Sequence, residues 1–226
     1  MKTIKLLLSA TLLTVATSAS AQFANSGSSG GGGFSLGTVK TDDYSRFKVS
    51  YLTQSFSFDT SYSYDSESLK GVSVEYLYGK HITQNLPLFI EYGTNFSWGF
   101  SKETYDHDDV EVKLNVMSLT VPINLAYKFS VNDDFSIDPH IGIGARVNLL
   151  ANESYDDGYY DESYSYFDKD DVGKDNTWNR FQLCGQAGVG LCFQQFYFGY
   201  EYSWNFMELA EKTKLNTNYI SVGINF

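Results

Sequence analysis

The sequence predicts an all-β chain, an eight-stranded antiparallel up-and-down transmembrane β-barrel with long extracellular loops and short periplasmic turns. Three observations predict it. From Arg46 to Phe226 hydrophobicity alternates with period two, the period of a strand. The alternating segments are long: a tilted membrane strand needs roughly 9–11 residues, whereas a soluble strand averages about five or six. The connections alternate long and short, as loops and turns do at the two ends of a membrane barrel.

Residues 1–21 read as a signal peptide. Lys2 and Lys5 precede an apolar run from Leu6 to Ala16, and Ala19-Ser20-Ala21 is a small-residue cleavage site that would leave Gln22 first. The run is too short for a membrane anchor, which needs about 20 apolar residues, and no Cys follows the site to carry a lipid. Beyond it, stretches such as Leu86–Ile90 and Ile141–Leu150 are short or broken by Gly and Arg146, so no spanning helix is expected. Residues 22–45, with Gly30-Gly31-Gly32-Gly33, read as a flexible Gly/Ser-rich leader. Residues 46–226 form the barrel domain.

The first strand, about Arg46 to Phe58, is the least regular: Phe47, Val49 and Tyr51 alternate, but Leu52, Phe56 and Phe58 stand in the opposite phase. The second sets Val72, Val74, Tyr76 and Tyr78 against Ser73, Glu75, Leu77, Gly79 and His81. The third is the clearest, with Leu88, Ile90, Tyr92, Thr94, Phe96, Trp98 and Phe100 on one face. The fourth changes phase between Val116 and Leu119 and contains Pro122; a bulge near Met117–Pro122 would explain both, since Pro removes a ladder donor. The fifth (Phe135–Leu149), sixth (Phe181–Phe193), seventh (Phe196–Phe206) and eighth (Tyr219–Phe226) alternate cleanly. Long connections fall at about 59–68, 101–109, 152–177 and 208–216; short ones at 83–85, 131–134 and 194–195. An extra hairpin in the third long connection would raise the strand number to ten.

Composition agrees with this architecture and narrows the partners. Aromatics are 17% of residues, led by 18 Tyr and 17 Phe, which suits water–lipid interfaces. The net charge of −11 becomes −13 once Lys2 and Lys5 are removed, which disfavours nucleic acid. Cys184 and Cys192, eight strand residues apart, are separated by roughly 26 Å and cannot bridge each other.

The layout resembles the small outer-membrane β-barrel family, the OmpA/OmpX/OmpW-like barrels and their porin-family relatives. The resemblance covers about residues 46–226. It rests on the signal peptide with its long/short alternation, on the Pro-containing strand Ser118–Phe129, and on terminal Phe226 preceded by Ile224, Val222 and Ile220 at alternate positions. It implies a Gram-negative outer membrane, contact with outer-membrane lipids and lipopolysaccharide, and recognition of the C-terminal residues by the barrel-assembly machinery. Members of this family include structural barrels, adhesins and small channels, so the resemblance does not choose an activity.

By parity Glu75, Glu91, Lys128, Asp138, His140, Arg146 and Glu201 face the lumen. They make either a selective pore or an ion-pair network that plugs it. The plug is favoured, because eight strands leave an interior just wide enough for side chains. Arg146, at mid-depth, is expected to pair with Glu75 and Glu201, since a buried Arg needs carboxylates. His107, in the second long loop, is the one histidine at the outer rim, where a rim enzyme would act, but a lone loop histidine beside acids is usually just solvated. No catalytic residue, metal ligand or cofactor is assigned. The third long loop interleaves acids with tyrosines, among them Tyr155, Asp156, Asp157, Tyr159, Tyr160, Asp168, Asp170 and Asp171. It is either a hydrated outer surface or a Tyr-rich contact surface. Asp168–Gly173 only faintly matches a calcium loop, with no acid at the fifth ligand position and Asn179 in place of the closing Glu. The function expected is a structural or surface-binding barrel with a plugged lumen. The alternatives are a small channel for solutes or hydrophobic compounds and, last, a rim-located membrane enzyme.

Overall fold

The computed structural model describes residues 42–58, 68–83, 86–105, 110–156, 158–159 and 161–226. The proposed signal peptide, most of the leader, His107, Asp157 and Tyr160 lie outside them. The strands are β1 (Tyr44–Phe58), β2 (Ser68–His81), β3 (Leu88–Tyr105), β4 (Val110–Tyr127), β5 (Phe129–Ser130), β6 (Phe135–Asp156), β7 (Asp161–Ser165), β8 (Phe181–Phe193), β9 (Phe196–Asn205) and β10 (Thr213–Asn225). One short helix, α1 (Lys169–Val172), follows β7.

Eight of these strands close a ring in which every pairing is antiparallel. It runs β1-β2-β3-β4-β6-β8-β9-β10 and returns through the β1–β10 ladder, in which Arg46 faces Asn225 and Phe58 faces Thr213. Closure leaves no sheet edge in the hydrocarbon, so ladder hydrogen bonds satisfy the backbone where water cannot. The third loop does contain a hairpin, but β7 pairs only with the upper end of β6, so the ring stays at eight.

The outward rows are the expected ones. Phe96, Trp98, Ile143, Val189, Phe198 and Ile220 are exposed along the wall, as are Val222, Ile224 and Phe226 near the β10 end. In β2 the alternation is strict, every second residue from Leu69 to Gly79 being buried. At the periplasmic end the Asp43 carboxylate accepts from the His81 backbone N–H and the Tyr78 hydroxyl, both at 2.8 Å. Those two bonds, the His81 one first, hold Asp43 below the usual carboxylate range.

Three expectations need correction. The first strand starts at Tyr44, two residues earlier than expected, so the leader ends sooner. The phase change in the fourth strand does not exist: Leu114, Val116, Ser118, Thr120, Pro122, Asn124 and Ala126 all face inward in one register. What changes is the chemistry of the inner face, apolar toward the outside and polar below. The same holds for β1, where Leu52 and Gln54 are buried inside beside Phe56. The ladder irregularity is real, between Met117 and Ser118, but the additional residue belongs to β6: Met117 faces Leu150 and Ser118 faces Asn148. Pro122 acts elsewhere, since the β3–β4 ladder skips Gly93 and Thr94, which would face Pro122 and Val121.

Candidate functional site

The inward side chains form three layers. The periplasmic layer is built on β1, whose even positions turn inward because Phe47, Val49 and Tyr51 turn to lipid. That places Arg46 and Lys48 in the lumen. Arg46 pairs with Glu91 at 3.1 Å and Asp138 at 2.8 Å, and its Nε donates to Asn225 Oδ1 at 2.7 Å. Tyr44 donates its hydroxyl to Glu91. Lys48 sits 3.2 Å from Glu75 and 3.9 Å from Glu201, and His140 Nε2 is 2.9 Å from the same Glu201 oxygen. The Arg46 guanidinium lies 4.0 Å from the centre of the Tyr197 ring. Tyr197 packs against Gly190 and Gly199, where any Cβ would overlap it.

The middle layer holds Arg146, and here the expected pairing fails. Its polar contacts are to hydroxyls: Thr120 Oγ1 at 3.3 Å, Ser203 Oγ at 3.4 Å and the Tyr219 hydroxyl at 3.4 Å. Among the described residues no carboxylate comes within 4.0 Å of it. Lys48, missed in the sequence, stands between Glu75 and Glu201 and takes the role expected of Arg146. A residual cavity of about 10 Å³ remains between Arg146, Glu75, Asn95, Gln186 and Tyr219, the lower limit for holding one water. Lys128 also departs from expectation. Its ammonium stands 3.2 Å over the Tyr44 ring and makes no ion pair among the described residues.

The extracellular layer is apolar, which the sequence reading did not anticipate. Leu69, Leu114, Val116, Ala151 and Leu215 from the wall pack with Trp178, Leu209 and Ala210 from the loops above, with Phe56, Tyr166 and Phe167 against them. Backbone bonds tie the two loops together: Asn179 N–H to Leu209 O at 2.6 Å and Glu211 N–H to Asp175 O at 3.2 Å. Gln182 and Asn179 also donate to Glu208 O. The signal was present in the sequence as Leu52, Phe56, Leu114 and Val116 standing in the "wrong" phase.

Of the loop residues singled out, Tyr155 and Asp156 top β6, and Tyr159 at the hairpin tip is 92% exposed. Asp168 caps α1 by accepting from Asp170 N–H at 2.9 Å, and Asp171 accepts from Ser165 N–H at 2.8 Å. This is capping geometry, and among the described residues no acidic group is arranged to hold a metal. Tyr166 turns inward and donates to Glu153 at 2.6 Å. His81 lies at the periplasmic end with Nε2 2.9 Å from Leu86 O. Both cysteines are free and buried, Cys184 Sγ 3.3 Å from Gly144 O and Cys192 Sγ 3.2 Å from Asp138 Oδ2.

Comparisons with known proteins can now be placed beside this geometry. No curated protein sequence matches the chain. Among solved structures it is similar to Ail, the attachment invasion locus protein of Yersinia pestis, solved with the heparin analogue sucrose octasulfate. The identity is 16% over 82% of this chain and 99% of that one, with a TM-score of 0.47. It is similar to the outer membrane enzyme PagL at 12% identity, over 79% of this chain and 98% of that one, with a TM-score of 0.44. It is similar to OprG of Pseudomonas aeruginosa at 10% identity, over 84% and 98%, with a TM-score of 0.38. The profile of the outer membrane protein beta-barrel domain matches residues 20–224, nearly the whole chain, and the protein belongs to that family of outer-membrane barrels.

Proposed function

We propose that this barrel is a non-conducting, non-enzymatic surface protein that holds its third and fourth loops together as a platform for contact outside the cell. One observation carries the reading: the lumen is filled along its length. Ion pairs span its periplasmic layer, Arg146, Glu75, Asn95, Gln186 and Tyr219 crowd a small cavity at mid-depth, and an apolar cluster joined to both loops covers the top. Such a stack supports a barrel that does not conduct hydrated ions. The platform presents Tyr155 and Tyr159 with neighbouring acids, a composition suited to adaptable polar contact. In this reading its surroundings are outer-membrane lipid and lipopolysaccharide, and its ligand is a surface partner of unspecified chemistry.

The test is planar-bilayer recording of the purified protein. The expected outcome is a silent membrane. Stable single-channel steps that persist in independent preparations would replace this reading with the channel.

A further inference from the structure

Parity and register set four inward side chains in one row across neighbouring strands. Glu75 of β2 faces Asn95 of β3, Asn95 faces Thr120 of β4, and Thr120 faces Arg146 of β6. The ends of the row are three strand spacings apart, about 14 Å along the wall. Even so, Glu75, Asn95 and Arg146 all line the same mid-depth cavity. They are 3%, 5% and 1% exposed.

Each of the three leaves one polar atom without a hydrogen-bond partner among the described residues: Arg146 Nη1, Glu75 Oε1 and Asn95 Oδ1. Their other atoms are engaged. Arg146 Nε and Nη2 donate to the hydroxyls of Thr120, Ser203 and Tyr219. Glu75 Oε2 lies 3.2 Å from Lys48 Nζ and accepts from Asn95 Nδ2 at 2.9 Å. That last bond fixes the amide, so the carbonyl oxygen of Asn95 is the atom left over. Buried polar groups in folded proteins are paired, with ordered water where side chains do not suffice. The set here is one donor and two acceptors. Water is its complement, with a lone pair for the guanidinium and two O–H groups for the oxygens. An anion would suit Arg146 but would also meet the Glu75 and Glu201 carboxylates that line the cavity, and a cation would suit the oxygens but would also meet Arg146. The volume, about 10 Å³, fits one water and nothing larger.

We propose that the mid-depth cavity is a binding site for a single water molecule, which accepts from Arg146 Nη1 and donates to Glu75 Oε1 and Asn95 Oδ1. The bridge couples Arg146 to a carboxylate without a direct ion pair, since a bridging water is nearly as good as a direct hydrogen bond. It joins Arg146 to the layer of Lys48, Glu75 and Glu201 in one network. Lys48 stays on Glu75 when Arg146 is removed, so that carboxylate keeps a cation. The site is independent of what the loops bind.

Crystallography of the detergent-solubilised full chain, at a resolution that shows ordered solvent, is the direct test. One peak is expected in the cavity, within about 2.7–3.2 Å of all three atoms. Crystals soaked in bromide or in rubidium should show no anomalous signal there. An empty cavity, or an Arg146 side chain in direct contact with Glu75, would overturn the bridge, and an anomalous peak from either ion would replace the water with an ion. A double-mutant cycle reads the same claim in solution. Arg146→Met and Asn95→Leu alter residues with no hydrogen bond between them among the described residues, and one of the two is uncharged, so the water is what links them. The double variant should therefore shift the urea unfolding midpoint by less than the sum of the two single shifts. Additive shifts, the rule for residues that share no partner, would count against the bridge. If Asn95→Leu does not fold, the wild-type crystal decides alone.

Discussion

At its periplasmic end the lumen is closed by charge, with Arg46 between Glu91 and Asp138 and Lys48 between Glu75 and Glu201. At its extracellular end Trp178, Leu209 and Ala210 close it by packing on Leu69, Leu114 and Leu215. The two closures differ in how they fail. The charged layer is built from side chains of the hydrogen-bonded wall, and each member is needed, because removing one leaves a buried charge without its counterpart. The apolar layer has five of its eleven members on loops, so it can open locally while the wall stays intact. A closed barrel can thus combine a lower layer fixed by its wall with an upper layer whose stability depends on its loops.

The largest effect should come from the lower seal. Arg46→Met should destabilise the barrel by about 3–5 kcal/mol, because Glu91 and Asp138 lose their common cation. Urea unfolding in lipid vesicles measures it, with Arg46→Met/Glu91→Gln expected to recover part of the loss. A cost below about 1 kcal/mol would end the distinction between the layers.

A smaller and different response is expected from the roof. Trp178→Ala removes a side chain packed 4.7 Å from the Tyr166 ring and 5.7 Å from the Phe56 ring. It should lower the local stability of the third loop by about 3 kcal/mol and leave the global unfolding midpoint nearly unchanged. Cleavage of the 157–180 segment by added protease, followed alongside urea unfolding, separates the two. An equal loss in both would show that the roof is part of the cooperative unit.

The smallest effect sharpens the comparison from within the polar lumen. Arg146 has hydroxyl contacts at 3.3–3.4 Å and no carboxylate partner among the described residues, so Arg146→Met, similar in volume, should cost less than about 1.5 kcal/mol. A cost matching that of Arg46→Met would mean that Arg146 has a counter-charge.

Much of this was legible beforehand, and the failures share one cause. The inward placement of Glu75, Glu91, Asp138, His140 and Glu201 follows from parity alone. The pairing does not: the irregular alternation of β1 hides Arg46 and Lys48, and the carboxylates expected beside Arg146 pair with Lys48 instead. The irregularity of β1 and β4 was itself informative. Leu52, Phe56, Leu114 and Val116 are apolar residues on the inner face, and the last three pack in the cluster that holds Trp178 and Leu209.

The sequence by itself determined which residues meet lipid and which meet the lumen, because side-chain direction along a strand has a period of two whatever the neighbours do. It also determined which end carries long loops. The tertiary structure alone decided which lumen charges touch, because ion pairs cross the ring between strands whose relative heights depend on register and on the additional residue in β6. It alone decided that two loops distant in sequence share one apolar core, because burial there depends on where chain segments meet after closure.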